Sequence, residues 1–218
     1  MFARLKLFAA FAASIAATLA LAAPARAHPH VWVTMQTELV YAPDGAVTGI
    51  RHAWTFDDVF SVYATQGLPQ KTKGQFTREE LATLAKENVE SLRDYAFFNY
   101  PRVEGARKRD VFADPVDYWL DFKNDTLTLN FTLPFKTPVK AKDLLIDIFD
   151  PEFFVSFEFA EKEPVRLAGA PASCKFEIAR PNDNKFPSTL RFDKSLRESN
   201  ENAGMGQLYA NKISVKCP

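Results

Sequence analysis

Two runs, Val31-Trp32-Val33-Thr34-Met35-Gln36-Thr37-Glu38-Leu39-Val40-Tyr41 and Val47-Thr48-Gly49-Ile50-Arg51-His52-Ala53-Trp54-Thr55-Phe56, flank a Pro43-Asp44-Gly45 turn signal, and their reading decides the fold. Both are rich in β-branched and aromatic residues, and both alternate with a period of two, so the stretch is expected to form a β-hairpin. With Asp44-Gly45 at the turn centre, paired residue numbers sum to about 89, which sets Trp32 opposite Asp57 and Thr37 opposite His52. One face then carries Val31, Val33, Met35, Leu39, Ile50, His52, Trp54 and Phe56 and is expected to be core. The other carries His30, Trp32, Thr34, Gln36, Glu38, Thr55 and Asp57.

Upstream of the hairpin stand basic Arg4 and Lys6, an apolar run from Leu7 to Ala23, and the small-residue site Ala25-Arg26-Ala27. These are the three parts of an export signal. Cleavage after Ala27 leaves a terminus reading His28-Pro29-His30, which holds two of the chain's three histidines. Residues 1–27 are therefore expected to be a signal peptide and residues 28–218 one exported domain, with a hairpin and helices over 28–104 and a β-rich part over 105–218. No later run approaches the roughly 20 continuous apolar residues that span a bilayer, and no cysteine follows the cleavage site to take a lipid. A bacterial periplasm is the expected address, with no membrane span after cleavage. Loss of Arg4, Lys6 and Arg26 moves the formal balance of 27 basic against 27 acidic residues to −3, which gives no footprint for nucleic acid. The mature length is also short for a two-lobed solute receptor.

Downstream, the pattern turns helical after Asp57-Asp58 as far as Gly67, and a second helix is expected to start at Thr77. Thr77 and Glu80 have capping-box spacing, Phe76 is placed to staple against Leu81, and Leu81, Leu84, Ala85, Val89 and Leu92 form one buried stripe ending near Arg93. Residues 69–80 between these helices align with a twelve-residue calcium loop: Gly74 falls at the sharp-turn position, Phe76 at the apolar position and Glu80 at the bidentate position. Its first ligand positions are Pro69, Lys71 and Lys73, so the loop is degenerate and calcium is not expected; a basic linker before a capped helix accounts for it as well. Strands are expected over 95–103, 108–112, 116–122, 126–133, 144–149, 153–159, 174–179 and 212–217, and a short helix within 188–201 followed by a flexible stretch over 203–206. The fold class is α+β, a mainly antiparallel sheet or sandwich with a two-helix, degenerate EF-hand-like insertion after the first hairpin. Twenty phenylalanines supply its core.

Cys174 and Cys217 are the only cysteines, and an even pair in an oxidising compartment reads as a disulfide. Antiparallel pairing of the last two strands would bring them together.

The chemistry concentrates at the mature terminus. Neutral imidazole is a good ligand for nickel, cobalt, zinc and copper, and an N-terminal histidine adds a free amine. Pro29 has no amide hydrogen to lose, which favours a histidine brace or an imidazole site over amide chelation. In the hairpin register Asp57 shares a face with His30, and Asp58 lies behind it, so His28, His30, Asp57 and Asp58 form the candidate metal site. The competing reading makes the histidines a frayed terminus and the two aspartates a helix cap. His52, about 20 Å along the ladder on the apolar face, is a core or interface residue first and an additional ligand second. No nucleophile–histidine–acid grouping and no phosphate-cradling glycine loop is evident, and no enzymatic activity is expected.

His28-Pro29-His30-Val31-Trp32-Val33, His52-Ala53-Trp54-Thr55-Phe56-Asp57-Asp58 with Phe60-Ser61, the 74–81 loop and helix start, and Phe149-Asp150-Pro151-Glu152-Phe153-Phe154 together resemble the domain-of-unknown-function 1007 family over residues 28–160. The resemblance implies a periplasmic component of an uncharacterised ABC-type transport system, associated with membrane proteins similar to nickel/cobalt exporters. In the family pattern the calcium-like loop carries acidic residues that Lys71 and Lys73 replace here. The combined expectation is a periplasmic accessory protein that binds a divalent transition metal (nickel or cobalt by the resemblance, zinc or copper equally by the ligands) and serves a membrane metal transporter. Two alternatives stand beside it: a metal-free periplasmic module that docks a membrane transporter, and a copper histidine-brace redox protein.

Overall fold

The structure is a computed structural model and describes residues 29–108, 110–181 and 206–218. It begins with the hairpin, β1 (Val31–Tyr41) and β2 (Val47–Phe56). The pairing follows the expected register, with Thr37 opposite His52 and Val33 opposite Phe56, and slips by one only beside the turn. All eight residues assigned to the apolar face are buried. The period-two pattern was sufficient here because a one-residue slip would have exposed every one of them.

A short helix α1 (Asp58–Thr65) follows, then a loop and helix α2 (Ala82–Ser91). The capping box forms: the Thr77 amide donates to Glu80 Oε2 at 2.8 Å and the Glu80 amide to Thr77 Oγ1 at 3.3 Å. The α-helix proper starts a turn later than expected, at Ala82. The reason lies in Glu80, whose other oxygen accepts the Lys71 amide at 2.8 Å, so the 77–81 turn closes the loop as well as starting the helix. Arg78 then pins this corner to the sheet, donating to both carboxylate oxygens of Asp121 and lying over the Trp119 ring. Leu81, Ala85 and Val89 are buried, as the helical spacing required.

The remaining strands are β3 (Asn99–Val103), β4 (Ala106–Arg107), β5 (Val116–Lys123), β6 (Thr126–Val139), β7 (Asp143–Ile148), β8 (Val155–Phe159), β9 (Val165–Ala168), β10 (Lys175–Ala179) and β11 (Asn211–Lys216). They form two sheets. The first runs β5-β6-β2-β1-β8, with β9 also on β1, and the second β10-β11-β7-β3-β4. Both contribute to one apolar core, in which Trp54, Phe131 and Leu133 of the first sheet join Ile146, Ile148 and Ile213 of the second. The architecture is α+β and mostly antiparallel, but β8 and β9 run parallel to β1.

Four details depart from the sequence reading. Residues 95–98 are not strand but the end of a 3-10 segment (Leu92–Phe98), in which Ala96, Phe97 and Phe98 take positive φ and both phenylalanines turn into the core. In the 108–112 segment, where Arg109 lies outside the described residues, the pairing seen is an isolated bridge from Phe112 to Phe135. Strand β6 continues past Pro134, because its neighbour at that point is Gly49, where a Cβ would sit 2.9 Å from the Leu133 oxygen, and the register shifts beside it. Strand β9 was not foreseen at all.

The helix expected within 188–201, and 203–205 of the flexible stretch, lie outside the described residues. Gly206 is buried instead of loose: a Cβ there would collide with the Asp150 carbonyl oxygen. On the second sheet, Asp147 of β7 is held between Lys212 of β11 at 2.6 Å and Arg102 of β3 at 3.0 Å, a buried charge cluster across three strands. Cys174 and Cys217, beside the Lys175–Lys216 pair of β10 and β11, are bonded to each other.

Candidate functional site

Three separated segments converge at one end of the first sheet: the start of β1, the β2–α1 junction and the 149–154 turn. Asp150 organises the last of these. It is buried, and its carboxylate accepts the amides of Glu152, Phe154 and Val155 at 2.9 Å each. The turn so formed presents the Phe154 carbonyl to β1, where it accepts the amides of His30 at 2.8 Å and Val31 at 3.3 Å. The exposed His30 ring lies against the Phe154 ring, with centroids 4.7 Å apart. An aspartate that ends the 144–149 run and is followed by proline is a turn signal in the sequence; its role as the clamp on β1 was not legible there.

Asp57 does the equivalent work at the β2–α1 junction. Its backbone is extended (φ −63°, ψ 164°), its Oδ1 accepts the Phe60 amide at 2.8 Å and it is the N-cap of α1. Its Oδ2 accepts the Trp32 amide at 2.8 Å, while its own amide donates to the Trp32 carbonyl at 3.0 Å. Ser61 reinforces the corner, donating through Oγ to the Asp57 carbonyl and accepting the Leu127 amide. Asp58 is exposed in the first turn, and its side chain accepts the Val59 amide.

Of the sequence-predicted site residues, His30 and Asp57 are therefore brought to one face, on either side of Trp32, and Asp58 follows directly. His28 lies outside the described residues. His52 is on the opposite, core face, between the rings of Trp54 and Phe131, with Nδ1 3.2 Å from Thr37 Oγ1. Burial pushes its pKa down to about 3, with the nearby Asn99 side chain pulling the other way, so this imidazole is neutral. Among the described residues no three His, Cys, Asp or Glu side chains gather closely enough to hold a metal ion.

Beneath the rim is a cavity of about 400 Å³. Its walls come from all three segments and the strand after the turn: Val31 and Val33 of β1, Trp54 and Phe56 of β2, Phe154 of the turn and Phe157 of β8. Asp150 and Glu152 border it as well, and the end of α2 with the 3-10 segment closes another side through Ser91 and Tyr95. The sequence reading missed this cavity and the part of Glu152 and Phe154 in it. The available signal was the mixture of buried-type aromatics with acids in two of the quoted motifs, 52–58 and 149–154.

An exposed apolar surface adjoins the rim. Trp32 is 49 % exposed, and on α1 Val59, Val62 and Tyr63 are 74 %, 63 % and 74 % exposed, at the i, i+3, i+4 spacing of one helix face.

An α+β two-sheet chain with an aspartate-clamped N-terminal strand over an apolar cavity is the class that fold and site define. By its sequence it belongs to the family described as "Protein of unknown function (DUF1007)", whose model matches residues 13–217. It is also similar to an uncharacterized protein of Haemophilus influenzae, 24 % identical over 195 residues that make up 88 % of this chain and 91 % of that protein. Among the described residues, no helix is long and apolar enough to cross a membrane.

Proposed function

We propose that the mature protein is an exported, periplasmic accessory component of a metal transport system, and that it takes a divalent transition metal at its N-terminus for transfer to or from a membrane partner. The observation that carries this reading is the double clamp on β1. The His30 amide is held by Phe154 and the Trp32 amide by Asp57, so the imidazole donor at position 30 projects from a fixed strand rather than a frayed end. Fixed donors lose less freedom on binding, and two imidazoles at i and i+2 of an extended chain lie on one side of it. In this reading His28 and His30 are ligands, Asp58 is the accessible carboxylate, and Asp57 positions the strand, since both of its oxygens already serve amides. Nickel, cobalt, zinc and copper all suit such donors, and the resemblance to components found beside nickel/cobalt exporter-like proteins favours the first two.

The loop between α1 and α2 is read as a degenerate calcium loop. The Glu80 carboxylate is held below the usual carboxylate range by the Thr77 and Lys71 amides, a pair of donors where a calcium ion would sit in a functional loop.

A second reading, a metal-free docking module, is favoured by the exposed face of Val59, Val62 and Tyr63 beside Trp32. Calorimetric titration separates the two. Protein beginning at His28 is titrated with nickel, cobalt, zinc and copper beside the His28→Ala/His30→Ala double variant. One-site binding lost in the variant supports the metal reading, and equal heats in both proteins overturn it. One extra residue before His28 would abolish a histidine brace and leave an imidazole site intact.

A further inference from the structure

The outer face of the first sheet holds a second pocket, about 20 Å along β1 from His30 at strand rise. Strand register builds it. Gln36 pairs with Ala53, Ala53 with Asn130 and Asn130 with Trp119, so the four side chains form one row across β1, β2, β6 and β5. Met35, His52, Trp54, Leu129, Phe131 and Leu120, their neighbours in sequence, are buried, so the row faces outward. Ala53 contributes only a methyl group between two strands that stand about 10 Å apart, and the row dips there. A pocket of about 270 Å³ is lined by all four residues.

Charged groups close one side of it in balance. Glu38 is registered with Arg51 on β2 and with Arg166 on β9, and its Oε2 accepts from both, at 2.7 and 3.2 Å. Each guanidinium thus gives one N–H to Glu38 and has others to offer. Glu163 borders the same pocket. Two arginines against two glutamates leave the lining without net charge, and Asp121 behind the row is paired with Arg78. An ion of either sign therefore meets as much repulsion as attraction.

The uncharged polar groups are oriented by their neighbours. Asn130 Nδ2 donates to Asp121 Oδ2 at 3.2 Å and to the Thr128 carbonyl at 3.3 Å, and Gln36 Nε2 donates to the Lys162 carbonyl at 3.2 Å. Their amide oxygens are the ends left to accept. Trp119 Nε1 donates to Asp121 at 2.8 Å, so what the indole brings to the pocket is apolar ring carbon.

From these observations we infer that the pocket binds one ring of a neutral polyhydroxylated ligand, a sugar. Each hydroxyl both donates and accepts, which matches guanidinium donors and amide and carboxylate acceptors set around a methyl group and an indole that take the ligand's C–H surface. The volume is just under the roughly 300 Å³ at which pockets for drug-sized molecules begin, and it admits a single ring, free or at the end of a glycan. The pocket shares no residue with the proposed metal site.

The mature chain is titrated, with a metal chelator present, with methyl α-glucoside, methyl α-mannoside, methyl β-galactoside and N-acetylglucosamine, and with maltotetraose and chitotetraose as glycan arms. The readouts are saturation transfer to the sugar and the Trp119 indole N–H resonance, assigned by its absence in Trp119→Phe. The expected result is saturable one-site binding of at least one sugar that moves this resonance and changes by no more than about twofold between about 0.02 and 0.5 M sodium chloride. A tetramer that binds about tenfold tighter than its monomer identifies a glycan as the source, and equal affinities identify the free sugar. Ala53→Leu, which fills the floor, should weaken binding by at least about tenfold. Gln36→Leu, at an exposed position, should weaken it by about fivefold through the lost acceptor, and decides the matter if Ala53→Leu does not fold. No saturable binding across these sugars, unchanged affinity in the folded variants, or tighter binding of glutamate or phosphate than of any sugar would each overturn the inference.

Discussion

His30 and His52 belong to the same hairpin and have opposite fates. His30 lies on the outward face, exposed, with its ring against Phe154 and its amide held by the 149–154 turn. His52 lies on the inward face, in full van der Waals contact with the core, and burial has lowered its pKa to about 3. The residue type is the same; pleat parity and what packs on each face decide whether the imidazole stands at the surface or is a neutral polar group in the core. The two faces also carry their polar residues differently. On the outward side Asp57 and Asp150 spend their oxygens on backbone amides that shape the rim, whereas on the inward side His52 Nε2 and Trp54 Nε1 lack a partner of good geometry.

The sharpest way to break the outward arrangement is Asp150→Ala. It removes a charged acceptor from three amides at once, and equilibrium urea unfolding should show a loss of about 3 kcal/mol or more. The same variant should free the His30 amide, read as faster hydrogen exchange at His30 and Val31 than anywhere else in β1. If His30 stays protected, the turn does not hold the strand.

The inward face is tested by pH. Because the folded pKa of His52 lies below its unfolded value of 6.5, the unfolded chain takes up the proton first as pH falls. The associated stability is fully present above pH 6.5 and is lost towards pH 3, at about 1.4 kcal/mol per pH unit. Between pH 7 and 4.5 the wild type should lose about 2.5 kcal/mol more than His52→Gln, with carboxylate effects common to both proteins. Parallel pH profiles would show that His52 is not the neutral core group described.

A smaller effect is expected at the second clamp. Asp57→Ala removes the N-cap of α1 and the acceptor for the Trp32 amide, and should cost about 1–2 kcal/mol in urea unfolding. Asp57→Asn, which keeps a capping oxygen, should recover most of it. The smallest effect is that of His30→Ala, an exposed position whose substitution should change stability by no more than about 0.5 kcal/mol. A large loss there would mean that the His30 side chain, and not its backbone, secures β1.

The hairpin, its register and its buried face could be read directly from residues 31–56, because a period of two with one apolar phase admits one pairing. The capping box and the α2 stripe were legible for the same reason: they are local patterns with a fixed geometric consequence. The pairing of Cys174 with Cys217 followed from two strand-like runs that bracket them. The 3-10 segment was not legible, since the apolar 95–98 run has the composition of a strand and only its tertiary neighbours turn Phe97 and Phe98 into the core. Strand β6 beyond Pro134 depends on a glycine 85 positions away in sequence terms, Gly49, and no local rule connects them.

The candidate site divides along the same line. His28, His30, Asp57 and Asp58 could be nominated from residue type and spacing alone, because ligand chemistry belongs to the side chain. That Asp57 is a clamp and cap, that Asp150 holds β1 from more than a hundred residues away, and that Trp54, Phe56, Phe154 and Phe157 line a cavity were decided only when β1, the β2–α1 junction, the 149–154 turn and the end of α2 packed together. Sequence determines which groups a chain carries and the period with which they alternate. Burial, and with it the pKa of His52 and the unmet donor of Trp54, comes from segments distant in the chain and exists only once they pack.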